Sequence, residues 1–292
     1  MADVECIVDA KNTLGEGVIW NPPEKALYWV DSQGEPRIQR YDPVTGAVTE
    51  WPMPADIGSM VFREQGGIAA GLRTGFHFVD LEAGTVNLIV DPEPGETENR
   101  LNDGKCDRRG RYWCGSLDER RDGKGAALYR LDPDLTCTRM ETGISTSNGI
   151  AWSPDDKTMY YACSRSNTCW AYDYDIAEGR IENRRVFIDT SDSPAWVDGA
   201  TVDADGCYWC AHIWNWEIAR YDPDGRLMET IRLPVEHPTM CTFGGENLDV
   251  LYVTSTRKFL KPEAAAEQPL AGGLFAVHGP GATGLPEPFF AG

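Results

Sequence analysis

The sequence predicts an all-β fold, a six-bladed β-propeller with four antiparallel strands per blade. An aromatic strand following a turn recurs six times: Ala26-Leu-Tyr28-Trp-Val-Asp, Gly66-Gly-Ile68-Ala-Ala-Gly, Gly110-Arg-Tyr112-Trp-Cys-Gly, Thr158-Met-Tyr160-Tyr-Ala-Cys, Gly206-Cys-Tyr208-Trp-Cys-Ala and Val250-Leu-Tyr252-Val-Thr-Ser. A second strand ending in an acidic turn follows most copies, at Tyr41-Asp-Pro-Val-Thr-Gly46, Val79-Asp-Leu-Glu-Ala-Gly84, Leu131-Asp-Pro-Asp134, Tyr172-Asp-Tyr-Asp175 and Tyr221-Asp-Pro-Asp-Gly225. Asp-Pro-x-x-Gly has type I turn chemistry and reads as a hairpin connection. The composition agrees, since 30 Gly and 19 Pro beside 10 Trp, 11 Tyr and 9 Phe describe short strands and tight turns rather than long helices.

A further short strand precedes each aromatic one, clearest in Gly17-Val-Ile-Trp20, Gly149-Ile-Ala-Trp152 and Gly199-Ala-Thr-Val202. Each unit is thus a four-stranded meander, and a spacing of roughly 40 to 50 residues matches a propeller blade. The segment Val4-Glu-Cys-Ile-Val8 stands where each later blade has its predecessor's outer strand, so it is expected to complete the last blade and close the ring. Residues 1–292 are read as a single domain, with 41% hydrophobic residues to supply its core.

With 27 Lys and Arg against 46 Asp and Glu, the formal net charge is −19. Such a surface repels polyanions, which excludes nucleic acid and anionic lipid as partners and favours a small molecule. The N-terminus carries neither a basic region nor an apolar stretch of signal length, and no run approaches the ~18 apolar residues of a membrane span. Nine scattered cysteines, an odd number, fit reduced thiols. The expectation is a cytoplasmic protein, a monomer or weak dimer.

Aligning the six units places Glu16, Gly58, Asn102, Asn148, Asp198 and Thr239 at the same point of each innermost strand, where side chains converge on the central axis. Asn148-Gly149 or Asp198-Gly199 alone would read as a turn. In register, two carboxylates and two amides aimed at one axis repel and desolvate each other unless a cation or ordered water takes the centre. Glu16 and Asp198 would balance a divalent cation and the Asn148 carbonyl oxygen would add a neutral ligand, leaving positions open for water and substrate. Hard oxygen donors favour Ca²⁺, Mg²⁺ or Mn²⁺, with Zn²⁺ and Fe²⁺ still open.

At these residues the chain resembles the senescence-marker-protein/gluconolactonase family, the regucalcin-like sugar lactonases. The stretches are Thr13-Leu-Gly-Glu16-Gly-Val-Ile-Trp20, Arg100-Leu-Asn102-Asp103-Gly-Lys-Cys-Asp107, Ser147-Asn148-Gly-Ile-Ala-Trp-Ser-Pro-Asp155, Val197-Asp198-Gly-Ala200 and Cys241-Thr-Phe-Gly-Gly-Glu-Asn-Leu248. The resemblance implies that Glu16, Asn148 and Asp198 bind one divalent metal and that Arg100 and Asn102 hold a sugar lactone. It also implies that Glu119, in Gly115-Ser-Leu-Asp-Glu119, accepts hydrogen bonds from substrate hydroxyls, with Asp103 at or just behind the site. Ala211-His-Ile-Trp214-Asn-Trp216 departs from the glycine-containing stretch frequent in related sequences and is expected to reshape the rim.

Opening a lactone, a cyclic ester, requires an activated carbonyl, a nucleophilic water and a base. A metal supplies the first two. Asp198 is the expected proton acceptor, provided its hold on the cation is dynamic or monodentate, with Asp103 the fallback. The leading expectation is a metal-dependent sugar lactonase acting on a pentono- or hexono-lactone. The alternatives are a related organophosphate or lipophilic-lactone hydrolase, which would want an apolar funnel, and a calcium-binding or scaffold propeller without catalysis. Cys207-Tyr-Trp-Cys210 is read as packing, as are His77, His212, His237 and His278; Arg108-Arg109 and Arg120-Arg121 are read as solvated pairs. No Gly-x-Ser-x-Gly elbow, P-loop or dinucleotide fingerprint occurs.

Overall fold

The computed structural model describes residues 2–120 and 122–292; Arg121 of the Arg120-Arg121 pair lies outside the described residues. The strands form six four-stranded antiparallel sheets; in five of them the first strand in the chain is innermost, and in the sixth the outermost strand is the N-terminal one. The inner strands are Gly15–Asn21, Ile57–Phe62, Asn99–Cys106, Ser147–Trp152, Trp196–Val202 and Pro238–Gly244, opening blades 1 to 6 in order. Asp3–Val8 pairs with Leu274–His278, Val4 opposite Val277, so the N-terminal strand completes blade 6 and closes the ring as expected.

The aromatic strands explain why blades pack. Successive side chains of a strand point to opposite faces, and in the second strand of a blade both faces are buried. Tyr28 therefore packs with Phe62 and Ile57 of blade 2, whereas Trp29 packs with Met240 and Tyr252 of blade 6. Blade 5 repeats the division, with Tyr208 against blade 4 and Trp209 against blade 6. The core is accordingly six wedges between neighbouring blades. Each buried indole still needs a partner for its N–H. Asp203, at the turn leaving the inner strand of blade 5, accepts from Trp209 Nε1 at 2.8 Å, from Arg220 Nη2 at 2.7 Å and from the Cys207 backbone N–H at 2.8 Å. Asp107 does the same in blade 3 for Trp113 Nε1 at 2.8 Å and Arg111 Nε at 2.6 Å.

Two features depart from the repeat. In blade 4 the strand runs through Tyr172-Asp-Tyr to Asp175, and the turn opens at Asp175 rather than Asp173, Gly179 N–H donating to Asp175 O at 2.7 Å. A short helix, Pro262–Glu267, lies between the middle strands of blade 6, Val250–Ser255 and Leu274–His278. Because all six inner strands run the same way, their beginnings share one end of the ring. The chain's last residues cross the other end: Ala204 N–H donates to Thr283 O, Phe290 N–H to Phe62 O, and Glu287 takes Lys105 Nζ at 2.7 Å.

Replacing Asp203 by Ala is expected to destabilise the fold by about 3–5 kcal/mol, because it leaves the buried Trp209 N–H without an acceptor and the buried Arg220 guanidinium with only Glu229 to accept its hydrogen bonds. Urea unfolding measures this, and a loss under about 1 kcal/mol would show that the carboxylate does not hold the blade.

Candidate metal and substrate site

Every inner strand carries a register break against its neighbour at the axial position: between Glu16 and Ile19, Ile57 and Ser59, Leu101 and Gly104, Asn148 and Ala151, Val197 and Ala200, and Pro238 and Met240. A bulge re-aims a side chain and leaves its residue unpaired. Here six bulges turn the axial residues toward the ring centre. Gly149 follows Asn148 at φ +62°, a conformation open to glycine and strained for other residues. At Gly58 a side chain has no room, since a Cβ would lie 2.5 Å from Asn102 Cα. Thr239 instead donates to Gly15 O, binding blade 6 to blade 1, and accepts from Thr254 Oγ1 at 3.0 Å within its own blade.

The remaining four axial residues meet at the foot of one cavity of about 320 Å³, which Glu16, Arg100, Asn102, Glu119, Asn148 and Asp198 all line. A relay of hydrogen bonds orients them. Arg100 Nη1 donates to Asn102 Oδ1 at 2.7 Å, Asn102 Nδ2 to Asn148 Oδ1 at 2.9 Å, Asn148 Nδ2 to Ser164 Oγ at 2.7 Å, and Ser164 Oγ to the carbonyl of Val197, beside Asp198, at 2.7 Å. The chain crosses blades 3, 4 and 5 and fixes both amides, the Asn102 oxygen accepting from Arg100 of its own strand and the Asn148 oxygen from Asn102 of the preceding blade.

The carboxylates are not satisfied in the same way. Asp198 Oδ1 is buried without a hydrogen-bond partner. Burial, then repulsion from Asp103, pushes the Asp198 carboxyl well above its ordinary range; Glu16 is raised by its poor solvation and then by Asp198 and Asp103. Glu16 keeps some exposed surface only because it faces the cavity. Arg100, the nearby cation, is itself buried and already engaged. An orphaned carboxylate oxygen, a second carboxylate repelling it and an amide oxygen make a hard-oxygen set short of positive charge, which fits a divalent cation. Among the described residues no three His, Cys, Asp or Glu side chains form a metal cluster by themselves, so the amide is needed.

Glu119 stands above this floor. Burial would raise its carboxyl, but Arg73 Nη2 at 2.9 Å outweighs that, with Arg100 and Lys258 adding to it, and the group is held ionised. Its loop is tied by Asp118, which takes Arg120 Nε and Nη2 at 2.7 Å each and Gly125 N–H at 2.9 Å. Arg165 Nη1 braces the same loop by donating to Asp118 O at 2.6 Å. Asp103 is the one expected residue that does not line the cavity; its carboxylate accepts from Ile150 N–H at 3.3 Å. Ser164, Arg165, Trp196, Lys258 and Phe259 also line the cavity. Sequence reasoning passed over them because they lie in loops and at rim ends where the blades carry no repeat. His212 is packed and bonded between Glu217 and Tyr221, and the cysteines are free thiols.

The family description SMP-30/gluconolactonase/LRE-like region matches residues 14–257. The chain belongs to that family. It is 35% identical over 290 residues to 6-deoxy-6-sulfogluconolactonase of Pseudomonas putida, covering 99% of each chain. It is 34% identical to regucalcin of Oryctolagus cuniculus, over 99% of this chain and 98% of that one. Among solved structures a luciferin-regenerating enzyme superposes with a TM-score of 0.92 at 28% identity, over 100% of both chains. The family match thus spans every residue that lines the floor of the cavity.

The Asp118 carboxyl is held down to about 2, from an unfolded value of 3.8, mainly by the Arg120 hydrogen bonds. Its contribution to stability is therefore complete above about pH 4 and is lost as pH falls toward 2. Asp118→Asn is expected to lower Tm by a constant gap between pH 5 and 7, the gap narrowing in more acidic buffer. A gap independent of pH would dissociate the ion pair from the loop's stability.

Proposed function

We propose that the protein hydrolyses a sugar lactone to its aldonic acid, using one divalent cation held by Glu16, Asn148 and Asp198. The observation that carries this reading is the partnerless Asp198 oxygen beside Glu16 and the Asn148 amide, at the foot of a cavity whose adjoining wall is hydroxyl-binding. When bound, such a cation supplies Lewis-acid polarisation at the site of attack. Arg100 Nε is buried without an acceptor and remains a donor for a substrate oxygen. Asn102, locked by Arg100 and Asn148, fixes the position of the ring, and ionised Glu119 accepts hydrogen bonds from hydroxyls. Asp198 takes a proton from the water as the water oxygen bonds to the acyl carbon, and returns it to the ring oxygen as the acyl carbon–ring oxygen bond breaks, leaving a hydroxy acid. Asp103 does not line the cavity, which favours Asp198 over it as the proton acceptor.

The family membership and the sulfogluconolactonase relative support lactone hydrolysis. Two cations refine the substrate class. Arg165 and Lys258 line the cavity, and among the described residues neither has an ion-pair partner, in a chain of net charge −19. A lactone with a negatively charged substituent away from the ester suits them, and the relative's sulfonated substrate is of that kind. The guanidinium, amide and carboxylate wall disfavours an organophosphatase, and a scaffold needs no convergent carboxylates.

The test is pH-indicator hydrolysis of pentono- and hexono-lactones, with and without a sulfonate or carboxylate substituent, by chelator-stripped protein given Ca²⁺, Mg²⁺, Mn²⁺, Zn²⁺ or anaerobic Fe²⁺. Cation-restored turnover is expected; turnover no faster than the spontaneous rate with every metal would sink the reading. Asp198→Asn is expected to lower kcat by about 10²–10⁴-fold with the circular dichroism spectrum unchanged. Because Glu16 and Asp198 hold protons more tightly than ordinary carboxyls without a cation, binding is expected to release protons and to weaken as pH falls. Calorimetric titration in two buffers of different ionisation enthalpy reads that release, and a heat that does not depend on the buffer would contradict it.

A further inference from the structure

The wall facing Arg100 and Glu119 holds a feature that lactone chemistry in general does not require. Trp214 sits at φ +75°, in the left-handed region. For a residue with a Cβ this costs roughly 1–2 kcal/mol, which a glycine at the same turn would avoid. Among the described residues nine non-glycine residues have positive φ, most of them in turns, and of these Trp214 alone lines the cavity.

The indole is needed neither for the blade's hydrogen bonds nor for the inter-blade wedges. It lines the cavity together with Trp196 and Phe259. Its neighbours hold its plane: Trp196 edge-on at 6.1 Å between centroids, Phe259 at 5.3 Å, and His237 edge-on at 4.4 Å. His237 is buried with neither ring nitrogen hydrogen-bonded, so it serves this cluster as an apolar plate. Burial pushes its imidazole down, which keeps it neutral. With Ile213 and Leu14 the wall is apolar apart from Lys258, whose Nζ lies over the Phe259 ring at 5.6 Å, and the opposite side, from blade 3, presents Arg100, Asn102 and Glu119.

A cavity with one polar and one aromatic side selects a molecule with the same division. A sugar lactone has it: hydroxyls along the edge and a patch of C–H bonds on the ring face, which packs on the electron-rich face of an indole. We infer that Trp214 is a specificity-determining residue, its indole, with Phe259 and Trp196, receiving the C–H face of the lactone ring. This inference rests on the sugar-lactone reading above.

Trp214→Gly separates a binding role from a structural one, since it removes the indole and relieves the backbone together. The expected result is a Tm within about 3 °C of wild type, while KM for the best sugar lactone rises tenfold or more and kcat changes less than threefold. Trp214→Phe, which keeps a ring, is expected to restore KM to within threefold. Calorimetric titration with the stable aldonates, pentonate and hexonate, reads the same contact without turnover and is expected to show tenfold weaker binding in Trp214→Gly. Unchanged KM and aldonate affinity in Trp214→Gly would overturn the inference while leaving the lactonase reading intact. A lower Tm with binding intact would overturn it in favour of a structural role, and a loss confined to n-alkyl lactones would overturn the sugar face as the ligand. Wild-type protein that neither hydrolyses lactones nor binds aldonates would overturn both readings.

Discussion

Negative charge at the axis of the ring, in a place with too little water to solvate it, is the constraint around which the rest of this molecule is arranged. Burial raises the proton affinity of Glu16, Asp103 and Asp198, Asp103 raises both of the other two and Asp198 raises Glu16, and Arg100 offsets only part of that repulsion. Such an arrangement is unfavourable for folding taken alone. It survives because six blades, each with its own wedge of buried aromatic residues, supply hydrophobic stabilisation far from the axis. The outer ring thereby carries the cost of a centre suited to a cation.

The bulges convert that ring into a site. A regular strand alternates its side chains between the two blade interfaces and would leave the axial residue to pack sideways. A break of register at the same point of all six inner strands turns each axial residue inward. What each blade contributes is then settled locally: Gly58 where the neighbouring backbone leaves no room, Thr239 where the ring is latched, and carboxylate or amide elsewhere. The relay from Arg100 to Ser164 makes the two amides parts of one rigid frame, so a displacement in blade 3 is felt beside Asp198 in blade 5.

The two ends of the ring have separate duties. At one end the loops build a cavity with a polar side from blade 3 and an aromatic side from blades 5 and 6. At the other the C-terminal residues lie across the channel, with Glu287 paired to Lys105 and Phe290 buried. The axial carboxylates are reached from the cavity side, which gives a substrate one direction of approach and one polar face to present.

Much of this was legible in the linear sequence because it repeats: the aromatic strands, their turns and the closing N-terminal strand all recur with a fixed spacing, since each blade must solve the same packing problem. The same alignment picked out Glu16, Asn102, Asn148 and Asp198, and the family resemblance added Arg100 and Glu119. It could not tell that Asp103 is left out of the cavity lining, because neighbours across a bulge do not follow simple alternation. Nor could it find Ser164, Arg165, Trp196, Lys258 and Phe259, or the helix Pro262–Glu267, which occur once and in loops. The sequence by itself determined the blades, their number and the chemical types at the axis, because burial imposes a period on residues. Only the tertiary structure decided which of those groups share a cavity and what faces them, because a wall assembled from the loops of different blades is set by closure of the ring and leaves no period to read.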